Sequence, residues 1–256
     1  MKSRAATIAR YTLLEALRTR LPALTLVVLA LIVTASFFVE QIAVTEGARF
    51  RSGFYAAAVR WAAVFIVALH VLAAVAREFD DKVLDVLLAL DLPRSHYVLG
   101  RLAGFAAVAG VVAAAACLPL ALSVPPAALI QWGISLAFEL AIVAALALFC
   151  AITFNQIVPA AGFVAAFYVL ARAVTAMRLI SANPISDAGA LSHRVIGTVV
   201  EGLALLLPSL EGWTRTDWLV NQPASWSTLS AIAAQGTLYV ALLAAAAMFD
   251  LHRKNF

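Results

Sequence analysis

Charge is scarce in this chain. Of 256 residues, 12% are Asp, Glu, Lys or Arg against 64% apolar, and the mean hydropathy is +0.97. A soluble globule carries about 25% charged residues because its surface must be wetted, so this composition excludes one. The chain reads as a polytopic membrane protein, and at roughly 20 residues per crossing, with a few more per loop, about six spans fit. Lysine is scarcer still. Lys2, Lys82 and Lys254 are the whole set and none follows a glycine, so the phosphate-cradling pattern G-x-x-x-x-G-K-[ST] is absent and nucleotide hydrolysis by that route is excluded. H-E-x-x-H, G-x-S-x-G and C-x-x-C are missing too, and His70, His96, His193 and His252 are scattered, which leaves no metal-ligand or nucleophile pattern. The two cysteines, Cys117 and Cys150, sit inside apolar runs; they indicate small buried hydrophobes rather than a disulfide framework.

What is present is a succession of long apolar runs. Residues 3–20 read as a helix lying in the membrane interface, with Ala6, Ala9, Leu13, Ala16 and Leu17 on one side and Arg4, Glu15 and Arg18 opposite. Its basic residues are spread out and no small-residue cleavage site follows, so it is expected to be retained rather than removed as a secretory signal. Spans are expected at 21–38, 54–76, 98–123, 127–152, 157–177 and 228–249. The third opens on Gly100-x-x-x-Gly104, a spacing that lets another helix approach closely. Between the fifth and the last span lies a long segment, 178–223. Its apolar run 195–207 is interrupted by Gly197, Glu201 and Gly202 and ended by Pro208, which suits a re-entrant or interfacial helix better than a crossing. Trp213, Trp218 and Trp226 in and after it suit a headgroup boundary.

Basic residues orient the chain. With six crossings, eleven Lys and Arg fall on the side of the N-terminus and tail, and five, Arg49, Arg51, Arg178, Arg194 and Arg215, on the other. Both termini are therefore expected in the cytoplasm. Within the spans, Arg60 is expected to snorkel to the interface, His70 to bond a neighbouring helix, and Glu139, nearest the midplane, to line a central cavity near Arg172. Glu139 and Arg172 are the candidate pathway residues.

The longest polar island on the inner side is 77–101, REFDDKVLDVLLALDLPRSHYVLGR, with nine charged residues in twenty-five positions. Val83, Leu84, Val86, Leu87, Leu88 and Leu90 alternate there with Asp80, Asp81, Lys82, Asp85 and Asp91, so a short helix over 78–93 carries an apolar stripe backed by acid. Pro93 ends it. Such a helix, tied directly to the second and third spans, suits docking on a partner and converting displacement at the membrane surface into helix tilt.

Glu78, Asp80, Leu84, Asp85, Leu87, Leu88, Leu90, Arg94, Gly100 and Arg101 resemble the signature after the second span of ABC-2 type permeases, E-x-E-x-G-T-L-E-x-L-L-S-L-P-[VI]-S-R followed by G-K. Lys82 and Val83 stand where Gly-Thr is usual, Asp91 where Pro is, and Arg101 where Lys is. The likeness extends over the whole chain, and 206–219, LLPSLEGWTRTDWL, is similar to the permeases associated with maturation of multicopper enzymes such as nitrous oxide reductase. The resemblance implies an all-α, six-span subunit of an exporter in the bacterial inner membrane, working as a pair of permeases with two ATP-binding cassette subunits. It implies that 78–93 is the coupling helix, with Glu78, Asp80, Leu84, Asp85, Leu88 and Arg94 as ATPase-coupling residues. The permease itself is then not catalytic and holds no cofactor; ATP and Mg reside on the partner. Membrane lipid and a periplasmic partner are the further expected contacts, and nucleic acid is not expected. Two other classes fit parts of the sequence. One is an intramembrane enzyme on lipid or isoprenoid substrates, with Asp80, Asp81 and Asp85 as a metal-binding cluster. The other is a non-transporting scaffold that moves an outer-side partner.

Overall fold

A computed structural model describes residues 4–43, 45–81, 93–154, 156–182 and 190–253, with the side chains of 182 and 190–196 excepted. The described residues are predominantly helical, 89%, with no strand. Six helices are long and apolar enough to cross a membrane, and the chain is a multi-pass, all-α membrane protein. In lipid every backbone N–H and C=O must find a partner inside its own segment, and the helix is the structure that provides this for a single span.

A first helix, α1 (Arg4–Arg18), is followed by the spans α2 (Leu21–Ile42), α3 (Gly47–Asp80) and α4 (Arg94–Cys117). Then come α5 (Pro126–Phe154), α6 (Ile157–Ala182), the shorter α7 (Ala190–Leu206), the single turn α8 (Asp217–Val220) and the last span α9 (Trp226–Arg253). Prolines mark several boundaries: Pro22 opens α2, Pro126 opens α5, and Pro119 turns the end of α4 into the 3-10 segment Pro119–Leu122. Each removes a backbone donor that an interior helical position would need.

Several helices outrun the apolar runs that announce them. α3 begins at Gly47 and not near 54, because Arg51 pairs with Glu40 of α2 at 2.8 Å and donates to Ser123 at 2.9 Å. These bonds carry the helix past the apolar boundary. α6 likewise continues to Ala182. The run expected to be re-entrant forms α7, whose 17 residues extend about 26 Å, short of a hydrocarbon core of about 30 Å. Six crossings therefore leave both described ends on one face, here termed the end face. The opposite one is the far face.

α5 is the central helix. Within its most apolar stretch 72% of residues are buried, against 17% for α2 and 22% for α9, so α2 and α9 turn most of their surface outward. The Gly100-x-x-x-Gly104 spacing does receive a helix, but it is α1. A Cβ on Gly100 would lie 2.9 Å from the Ala5 carbonyl, and one on Gly104 would lie 2.9 Å from the Ala9 carbonyl and against Thr12. Small residues there let the two backbones touch, so α1 is seated on α4 along the face that buries Thr12 and Ala16.

Candidate functional site

Two polar constellations stand out against the apolar bundle. The first lies inside it. Glu139, fully buried on α5, is about 20 Å along that helix from Pro126, and its carboxylate accepts from three side chains on two elements. Tyr168 Oη donates at 2.8 Å and Arg172 Nη1 at 3.0 Å from α6, and Thr214 Oγ1 donates at 2.5 Å from the segment after α7. Tyr168 and Arg172 are four residues apart, hence on one face of α6; so are Ser135 and Glu139 on α5.

Thr214 ties the knot. Its N–H donates to Ser135 Oγ at 3.0 Å, and its carbonyl accepts from Arg60 Nη1 at 3.0 Å and Trp132 Nε1 at 3.3 Å. Its φ of 45° lies in the left-handed region that a β-branched residue adopts only when its surroundings over-determine it. Here all its polar atoms are bound, and it exposes nothing. Arg172 also donates to the carbonyls of Leu210 at 2.9 Å and Trp213 at 3.4 Å. The irregular backbone after α7 thus descends among the spans, where non-helical chain persists only if protein satisfies its polar groups. The arginines and Ser135 do so.

The structure brings Glu139 and Arg172 together as a buried ion pair. It also changes two expectations. Arg60 does not snorkel outward but is 8% exposed and turned onto Thr214, because that carbonyl offers a partner at its own depth. Trp213 does not stand at a headgroup boundary. It is buried, with Nε1 donating to Gln235 on α9 at 3.3 Å; Trp218 is buried too, while Trp226 is exposed. His70 stands edge-on to Phe105 of α4, ring centroids 6.3 Å apart. Tyr168, Ser135, Trp132 and Thr214 were missed in the sequence. The i,i+4 polar pairs inside α5 and α6 were the available signal for Ser135 and Tyr168; nothing local pointed to Thr214.

The second constellation is on the end face, around both edges of 82–92. Glu78, in the last turns of α3, forms an ion pair with the buried Arg101 and accepts from Tyr97 Oη at 2.5 Å. Arg101 also donates to Thr12 Oγ1 at 3.0 Å and to Glu15 at 3.2 Å on α1. On the other edge, Arg94 Nη1 donates to the carbonyls of Leu251 at 2.8 Å and His252 at 3.2 Å, groups left without intrahelical partners at the C-terminus of α9. Glu78 and Asp80 belong to the end of α3, with Asp80 exposed at the mouth of a cleft shared with Phe79 and Gln156. Leu84, Asp85 and Leu88, and with them most of the expected helix 78–93, lie outside the described residues. Among the described residues no three His, Cys, Asp or Glu side chains are grouped to hold a metal ion.

No protein-family model matches the sequence, and no curated protein matches it.

Proposed function

We propose that this chain is the membrane-spanning permease subunit of an ABC-2 type exporter of the bacterial inner membrane, with both termini in the cytoplasm. It works as a pair of permeases beside two ATP-binding cassette subunits that hold ATP and Mg, and it couples their hydrolysis to export or to mechanical work on a periplasmic partner. One observation carries the reading. Both edges of the acidic, leucine-striped stretch 82–92 are fastened to the bundle, Glu78 to α4 and through Arg101 to α1, and Arg94 to the end of α9. A force applied to that stretch reaches four helices through charge-assisted hydrogen bonds, which are shorter and stronger than neutral ones. A merely solvated loop has no use for such fastening. The chain lacks a phosphate loop of its own, so the force must come from another polypeptide. Glu139 and Arg172 are assigned to the pathway, as the paired ionisable groups at mid-span.

The test is affinity purification of the tagged chain from its native membrane. An ATPase with Walker motifs is expected to co-purify, and Leu84→Asp with Leu88→Asp is expected to release it while the chain still inserts. Absence of any such ATPase from the wild-type preparation, or its undiminished retention by the double variant, defeats the proposal.

A further inference from the structure

A cleft of about 330 Å³ opens between the α1–α2 junction and the end-face half of α3. Its upper rim carries Arg20 and Arg77, with His70 about 10 Å further along α3. Its floor is apolar, formed chiefly by Leu24, Phe65 and Leu69, which are 52%, 45% and 50% exposed. An apolar floor so open at the depth of a span faces hydrocarbon, so the cleft is entered sideways from the bilayer. The cleft's lining carries no carboxylate, and neither Arg20 nor Arg77 is ion-paired among the described residues. Glu15, whose charge reaches His70, is itself engaged by Arg101 at 3.2 Å.

We infer that this cleft is a binding site for one anionic phospholipid. The two guanidinium groups take the headgroup phosphate, an arrangement matched to its oxygens. An imidazole N–H of His70 faces the deeper ester region, and an acyl chain lies along Leu24, Phe65 and Leu69. Arginine at the membrane surface attracts anionic lipid generally, but the effect is diffuse; a cleft with an apolar floor adds a place for one particular molecule. Because the lipid would touch the α1–α2 junction, α2 and α3 at once, it would hold that junction against the second span.

The purified full chain, titrated in detergent with palmitoyl-oleoyl phosphatidylglycerol or phosphatidylcholine and read by native mass spectrometry, tests this. The wild type is expected to bind the first lipid roughly tenfold more tightly at one site. Arg20→Gln with Arg77→Gln should abolish that preference, whereas Arg49→Gln with Arg215→Gln, two exposed arginines of the far face, should preserve it. Leu69→Trp, which fills the floor and alters no charge, should lower occupancy by both lipids and serves alone if the arginine variant does not fold. Equal binding of the two lipids, a preference that survives the Arg20 and Arg77 changes, or equal loss in the far-face control overturns the site. Displacement of the lipid by millimolar inorganic phosphate would reassign it to a soluble anion and overturn the lipid inference.

Discussion

Among the described residues Glu139 is the single carboxylate in a buried network that also holds Arg60 and Arg172, so its removal leaves two guanidinium groups without that balancing charge. Truncating one partner of a buried pair costs about 3–5 kcal/mol, mostly because the other stays desolvated and unpaired. Glu139→Ala is therefore expected to destabilise the folded chain by about 3 kcal/mol in detergent, measured by reversible denaturant unfolding. Glu139→Gln keeps one acceptor oxygen, for Tyr168 and Arg172 or for Thr214 but not for all three, and is expected to lose about 1–3 kcal/mol, less than the alanine variant. A cost below 1 kcal/mol for the alanine variant would mean that the network is not holding the bundle. Thr214 can be tested separately, because Thr214→Val keeps the side chain's shape and deletes its donor to Glu139, while Thr214→Ser keeps the donor. The valine variant is expected to be less stable than the serine variant by about 1–3 kcal/mol.

Between elements, the seating of α1 on α4 depends on the absence of two side chains. Gly104→Ala places a methyl group against the backbone of α1 near Ala9 and against Thr12. Since backbone cannot yield as a flexible side chain does, α1 must lift. Overpacking of this kind costs about 1–3 kcal/mol, and hydrogen exchange is expected to accelerate in Arg4–Arg18 with little change in α5. Unchanged protection of α1 would show that the contact is not tight. Arg94→Gln should act at the other fastening: without the guanidinium its bonds to Leu251 and His252 are lost, and exchange should rise over the last turn of α9. Glu78 and Arg101 are poor subjects for single substitution, as Arg101 joins α1, α3 and α4 at once and its removal disturbs all three.

For the molecule as a whole, the expected orientation can be read by labelling, because Cys150 is buried and Cys117 only partly exposed. A cysteine replacing Ser227, exposed at the start of α9, is expected to react with a membrane-impermeant maleimide on intact cells once the outer membrane is permeabilised. One replacing His96, exposed at the start of α4, is expected to react only after the inner membrane is opened. The reverse pattern would invert the proposed topology and place 82–92 out of reach of any cytoplasmic ATPase.

Composition and apolar run length by themselves determined that this chain is an all-helical, six-span membrane protein, because hydrocarbon admits few structures and their lengths are set by bilayer thickness. They also singled out Glu139, Arg172 and the island around Glu78 and Arg94, since an ionisable group in such a chain is costly wherever it stands. Helix ends were less legible: α3 and α6 continue past their apolar runs, one of them held by pairs such as Arg51 with Glu40 that join residues on different helices. Only the tertiary structure decided where Thr214 goes, that Arg60 turns inward, and that Gly100 and Gly104 receive α1. Those outcomes depend on which distant groups meet at the same depth, with Thr214 reaching Glu139 across 75 positions and Arg101 reaching Thr12 across 89, and a one-dimensional pattern carries no record of such meetings.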